Sequence, residues 1–277
     1  IDDARKHGVR IRPVDVNHSD WHANLEPDPN RSQPSIRLGL QSIRGLPNQV
    51  AMHLVENRQS GGAFESLQRM IDRCSLGKST QAMLADADAL GALAGDRRAA
   101  IWHSLGQEDE PGSQPLFNDA SSEESTPDAL VPMSPMEEVH ADYQMTGLSL
   151  KAHPMSFARR HLDSLRCVRS SDLRGLRDGR HVRVSGLVLM RQRPGTAKGI
   201  TFVTIEDETG TMNLVMFPAV WQRHFRIART AGAWLVDGKL ENRQGVIHVI
   251  VGRLRDLADE VDGFAADQVS TKSRDFH

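Results

Sequence analysis

The residues best suited to chemistry in this chain are three cations and a ring gathered near position 195. Arg191, Arg193 and Lys198 lie in the stretch Arg191-Gln-Arg-Pro-Gly-Thr-Ala-Lys-Gly199, and Phe202 follows shortly after. Cations at this density attract a phosphate backbone, and an aromatic face accepts a stacked base, so together they suit a single-stranded nucleic acid. A second candidate is Arg44-Gly45-Leu46-Pro47. In a helix-hairpin-helix, a glycine turn of this kind lets backbone N–H groups reach a DNA phosphate beside a helix N-terminus. Pro47 occupies the place of the usual second glycine and removes one donor. Ser75-Leu-Gly-Lys78 is a third, weaker candidate, with Lys78 as its cation. Each has a plainer alternative. Phe202 also suits a barrel core, the loop cations a solvated hairpin, and the turns ordinary connections between packed helices.

The carboxylates and histidines do not assemble a catalytic set. Val14-Asp-Val-Asn-His-Ser19 and Glu206-Asp-Glu208 contain acids, but neither joins a base, a nucleophile and an oxyanion donor. Asp86 and Asp88 have the spacing of a two-metal pair, yet two positions along a helix point to different faces. There is no Walker-type loop, and no His/Cys grouping at metal-ligand spacing. The expectation is therefore no catalytic residue, no metal site and no cofactor in this chain.

The elements that must position these residues are legible from pattern. Five apolar runs, Val182–Met190, Ile200–Ile205, Met212–Phe217, Ala233–Leu240 and Val246–Leu254, read as strands. Glu206-Asp-Glu-Thr-Gly210 has the composition of a tight turn between the second and third. Pro218–Phe225, opening on proline, suits a helix. Three strands, a helix and two strands is the order of an OB-fold, a small barrel that binds single strands across its second and third strands. Toward the N-terminus, residues 1–7 read as a helix end stopped by Gly8, and Val9–Val16 as a strand broken at Pro13. Glu26–Pro34 is a connector, and Ile36–Leu105 carries helical periodicity throughout. Helices are also expected from Ser79 to Leu90, from Asp96 to Leu105, from Pro135 to about Met145, and, basic in character, from Ser156 to Arg166. The fold class expected is α+β.

Composition narrows the partners. The formal charge of the 277 residues is −2, which argues against nucleic acid until its distribution is considered. Ten acids and no lysine or arginine lie between Gly106 and Asp142, whereas eleven bases face three acids between Lys151 and Arg193. Segregated charge is a better guide to partners than the sum. The acidic stretch, rich in Ser and Pro, reads as a disordered linker. Cys74 and Cys167 form no disulfide framework, which points to a reducing cytosol and a cytoplasmic protein. No apolar run approaches a membrane span. The opening Ile1-Asp-Asp-Ala reads as the inside of a domain, so the chain is expected to be a fragment.

Four motifs in order, Pro13-Val-Asp-Val-Asn-His-Ser19, Ile36-Arg-Leu-Gly-Leu-Gln-Ser-Ile-Arg-Gly45, Tyr143-Gln-Met-Thr-Gly-Leu-Ser-Leu-Lys-Ala-His-Pro154 and Arg191–Gly199, resemble the C-terminal portion of bacterial C-family polymerases. Within that family the chain is similar to the error-prone paralogues of the DNA polymerase III alpha subunit (ImuC-type), and Lys272-Ser-Arg-Asp-Phe-His277 is similar to their ending. The resemblance implies that residues 1–33 close the fingers domain, 34–105 form a tandem helix-hairpin-helix region, 106–135 a linker and 136–180 a helical connector. It places the OB domain at 181–258 and a tail at 259–277. It further implies a parent enzyme that copies DNA past lesions in damage repair and damage-induced mutagenesis, using Mg²⁺ on aspartates upstream of this segment. Its partners would be duplex and single-stranded DNA and ImuA-like and ImuB-like mutasome proteins. The DNA-binding residues expected are Arg44, Gly45, Leu46, Lys78, Arg191, Arg193, Lys198 and Phe202. Two other classes stay open: a stand-alone OB-fold protein for single-stranded nucleic acid, and a scaffold whose barrel docks protein.

Overall fold

In the computed structural model, residues 2–106, 130–243, 245–261 and 274–276 are described. They fall into two units, residues 1–150 and 151–277.

The first unit combines a small sheet with a helical module. After α1 (Asp2–Lys6), strands β1 (Ile11–Arg12), β2 (Asn24–Glu26) and β3 (Ser35–Arg37) pair with β3 in the centre, parallel to β1 and antiparallel to β2. Buried Arg37 ties them together. It donates twice to the Glu26 carboxylate, at 2.7 and 3.0 Å, and once to the Pro13 carbonyl at 2.9 Å. The expected strand Val9–Val16 thus shrinks to two residues, because Pro13 cannot donate to a ladder. The helical reading of Ile36 is corrected as well: it sits in a strand, and only a 3-10 turn, Leu40–Ser42, precedes the first long helix.

That helix is α2 (Asn48–Gly61), followed by α3 (Leu67–Cys74), α4 (Lys78–Asp86), α5 (Gly91–Ala94), α6 (Arg97–Gly106) and α7 (Pro135–Thr146). Their apolar faces meet Val14 and Val16 in one core with Leu40, Ile43, Leu54, Met70, Leu84 and Leu90. Local sequence sets several helix ends. The Ser66 side chain accepts from Arg69 N–H and the Asp96 carboxylate from Ala99 N–H, while Ser134 and Glu137 close a reciprocal capping box. The acidic linker expected at 106–135 lies, from 107 to 129, outside the described residues.

The second unit opens with α8 (Pro154–Ser164) and a 3-10 turn, Ser170–Gly175, and then forms the barrel. Its strands are β4 (His181–Gln192), β5 (Thr201–Asp207), β6 (Gly210–Met216), β7 (Ala233–Arg243) and β8 (Val246–Asp256). The order β5-β6-β8-β7-β4 closes through the β4–β5 pairing, and β6–β8 is the parallel contact. Two short helices, α9 (Pro218–Arg223) and α10 (Phe225–Thr230), bridge β6 to β7. Alternate residues from all five strands, among them Val184, Val203, Ile205, Leu214, Met216, Val236 and Val249, fill the interior around fully buried Trp234. A three-residue strand, β9 (Arg274–Phe276), adds to β4 in parallel; the rest of the tail expected at 259–277 is described only to residue 261. The whole is α+β: a helical hairpin module and a closed five-stranded barrel.

Candidate nucleic-acid interface

Two turns in the first unit share one geometry. In the first, Gly45 takes a left-handed φ of +84°, Leu46 drops into the core, and Pro47 precedes α2. In the second, Ser75 takes φ +48°, Leu76 drops into the same core, and Gly77 precedes α4. The left-handed residue turns the chain, the leucine anchors it, and neither Pro47 nor Gly77 supplies a side-chain cap. Backbone N–H groups at such a helix start face outward and attract anions. Each turn carries an exposed cation, Arg44 on one and Lys78 on the other. The turns are held from behind, since Arg44 N–H donates to the Met145 carbonyl at 2.7 Å and the Gln81 amide to the Leu76 carbonyl at 2.8 Å.

On the barrel, the expected loop cations part company. Arg193 and Lys198 are exposed in the β4–β5 loop. Arg191 instead points inward, correcting its expected place on the DNA surface. Its Nε donates to the Ala228 carbonyl at 2.9 Å and its Nη2 to the Ala231 carbonyl at 2.6 Å, while the guanidinium lies 5.5 Å from the Trp234 ring centre. A buried guanidinium so occupied ties the end of α10 to the barrel. The end of the strand explains the difference: Arg191 is still in β4, paired opposite inward-facing Val203, whereas β4 stops at Gln192 and Arg193 and Lys198 lie in the loop beyond it.

Phe202 is not core. It stands 38% exposed on the outer side of β5, flanked by buried Thr201 and Val203. Opposite it on β6 is Val215, and two residues on, in the same outward phase, Phe217 is 46% exposed. Phe202, Phe217, Arg193 and Lys198 therefore converge where the β4–β5 loop meets the end of β6, with Pro218 beside Gly199. Phe217 escaped the sequence reading because it ends an unbroken apolar run; only the phase of Asn213 and Val215 reveals its direction. Phe225, 50% exposed on α10, stacks edge-on to Trp221, and Arg229 covers it. Burial first, then Arg223 and Arg253, lowers the pKa of His224 below its ordinary value, so it adds no charge near pH 7. The β5–β6 turn that frames this face is fixed by Arg159 of α8, which pairs with both Glu208 oxygens, and by Asp207, which accepts from Ser170, Thr209 and Gly210 N–H.

Among the described residues one set of carboxylates converges as metal ligands would: Asp88, Glu138 and Asp142. A fully buried Arg97 fills the space between them, donating to Glu138 at 2.9 Å and to Asp142. The guanidinium offsets part of the cluster's negative charge and fastens α6 to α7, so the arrangement is an internal ion-pair network.

Comparison with known proteins agrees with both halves of this geometry. Residues 8–100 match a family described as the helix-hairpin-helix motif, and residues 174–257 match the OB-fold nucleic acid binding domain. The chain is 59% identical to an error-prone DNA polymerase of Rhodopirellula baltica over 95% of its own length and 23% of that protein's. It is 40% identical to one of Methylococcus capsulatus over its entire length and 27% of the relative's. The chain thus spans about a quarter of the curated relatives it matches. Among solved structures, an asparaginyl-tRNA synthetase from Pyrococcus horikoshii aligns with 32% of this chain and 22% of its own at 27% identity, with a TM-score of only 0.29.

Proposed function

The chain belongs to the error-prone DNA polymerases as a C-terminal segment, and from that premise we propose that it is the DNA-binding part of such an enzyme. The observation that carries the proposal is the convergence of Phe202 and Phe217 with Arg193 and Lys198 on the outer face of β5 and β6. The cations follow the backbone of the template strand ahead of synthesis, and the rings stack its bases without regard to sequence. Indifference to sequence is what copying an arbitrary template demands. The turns at Gly45 and Ser75 hold duplex phosphates behind the growing end through helix N-termini and the Arg44 and Lys78 cations. In this reading the parent enzyme synthesises DNA past lesions during damage repair, in the cytoplasm, with Mg²⁺ on aspartates elsewhere in its chain. Partners of the ImuA and ImuB type complete its assembly. No helix among the described residues is long and apolar enough to cross a membrane.

In this reading the described residues bind and orient, and the chemistry of synthesis belongs to other parts of the parent chain. Purified chain supplied with primed template, Mg²⁺ and dNTPs is expected to bind the template without extending it. Extension that survives a control for contaminating polymerase contradicts the assignment. A second reading is favoured by Phe217 and Phe225, two large rings left 46% and 50% exposed on the barrel: the barrel docks a protein. Binding of single-stranded DNA that is indifferent to Phe202→Ala and Phe217→Ala selects that reading.

A further inference from the structure

The barrel carries a second basic concavity. A cavity of about 600 Å³ opens on the outer side of β4, β7 and β8, lined among others by Arg166, Arg183, Lys239 and Arg253. β7 has β4 and β8 as neighbours, so it lies across the closed barrel from the β5–β6 face. Strand register arranges the charges in rungs: Arg183, Asp237 and Arg253 side by side, and His181 beside Lys239. A bulge between Asp237 and Gly238 shapes the floor. No side chain fits at Gly238, where a Cβ would stand 2.4 Å from the Ile250 carbonyl oxygen, and Gly252 leaves the adjoining strand bare.

Four permanent cations surround one carboxylate, and that carboxylate is already committed. Asp237 accepts from Arg183 at 2.6 Å and from Arg255 at 3.4 Å. Arg166, Lys239 and Arg253 have no carboxylate partner among the described residues. Arg166 is held at the rim in a left-handed conformation, φ +58°, which residues bearing a side chain seldom adopt. A glycine floor ringed by uncompensated guanidiniums is shaped for phosphate, which arginine grips in a planar, bidentate way.

We propose that this groove binds the phosphodiester backbone of a nucleic-acid strand, as a contact separate from the β5–β6 face. The proposal rests on the reading of the barrel as a nucleic-acid domain and adds a second phosphate track to it.

Fluorescence anisotropy of a long labelled oligothymidylate across a salt series, with the full chain, tests the proposal. Lys239→Gln with Arg253→Gln is expected to weaken binding and lower the salt slope by about 1.4, roughly 0.7 for each lost phosphate contact on a single strand. Gly252→Val, whose Cβ meets only the Asp237 carbonyl oxygen at 3.4 Å, fills the groove without changing charge and is expected to weaken binding too. Calorimetry with inorganic tripolyphosphate separates a strand from free phosphate. If these variants lose only tripolyphosphate, the groove is a free-phosphate site and the proposal falls. If they bind both probes as the parent does, while Arg193→Ala with Lys198→Ala binds oligothymidylate poorly, the groove alone is refuted. If the parent does not bind oligothymidylate, the groove and the interface reading fall together.

Discussion

A single side chain can carry positive charge for DNA or for the fold, and burial decides which. Arg191 and Arg193 are two residues apart, yet Arg191 spends its guanidinium on the Ala228 and Ala231 carbonyls while Arg193 stays in solvent. Arg191→Ala removes both donations, leaving the Ala231 carbonyl only the 3.2 Å bond from the Trp234 indole N–H, and two hydrogen bonds to a buried charge are worth about 3 kcal/mol or more. Urea unfolding is therefore expected to show a loss of that order with the salt slope of DNA binding unchanged. Arg193→Ala is expected to do the reverse, costing less than about 0.5 kcal/mol of stability. Cys167 gives a pH signature at the same scale. Burial raises its thiol pKa to about 11, against an ordinary 9.0. The folded state thus keeps a proton that the unfolded state releases, so this contribution is intact below pH 9 and lost as pH rises toward 11. Cys167→Ala is expected to flatten the alkaline fall in stability over that window; an identical profile excludes Cys167 as its source.

Among the elements, the two hairpin turns show how unlike sequences reach one shape. Gly45-Leu46-Pro47 and Ser75-Leu76-Gly77 each place a left-handed residue, a buried leucine and an uncapped helix start in succession. Gly45→Val would force a β-branched residue to φ +84°, costing about 1–2 kcal/mol through strain; the nearest contact of its Cβ, the Met83 sulfur at 3.4 Å, is ordinary. Arg44→Ala is the cleaner probe of duplex binding, expected to lower the salt slope by about one with the melting temperature unchanged. Unaltered affinity and slope would assign the turn to helix packing alone. The barrel strands were legible because five long apolar runs separated by turn residues permit few other readings. β2 and β3 were not, because three-residue strands owe their existence to pairing with each other and to Arg37, neither of which leaves a periodic signal. The outward direction of Phe202 and Phe217 was hidden for a related reason: both sit in runs where apolar residues occupy both faces.

At the scale of the whole chain, the proposed function gives the two units two kinds of grip, helix N-termini for duplex phosphates and a barrel face for an unpaired strand. Sequence showed both modules but not where one ends. α7 and α8 both open on Pro-Met, one acidic and one basic, and neither sequence names its core: α7 joins the first unit through Val139 and the Arg97 network, and α8 joins the second through Met155, Ala158 and Leu162. Which core a helix enters is a tertiary choice. The measurement that tests the account most directly is the affinity of the chain for single-stranded DNA across a salt series, compared with two double variants. Arg193→Ala with Lys198→Ala is expected to lower both affinity and slope. Phe202→Ala with Phe217→Ala is expected to lower affinity by roughly 1–3 kcal/mol per stacked base at constant slope. Parent-like binding by both variants would contradict the β5–β6 face as the nucleic-acid interface.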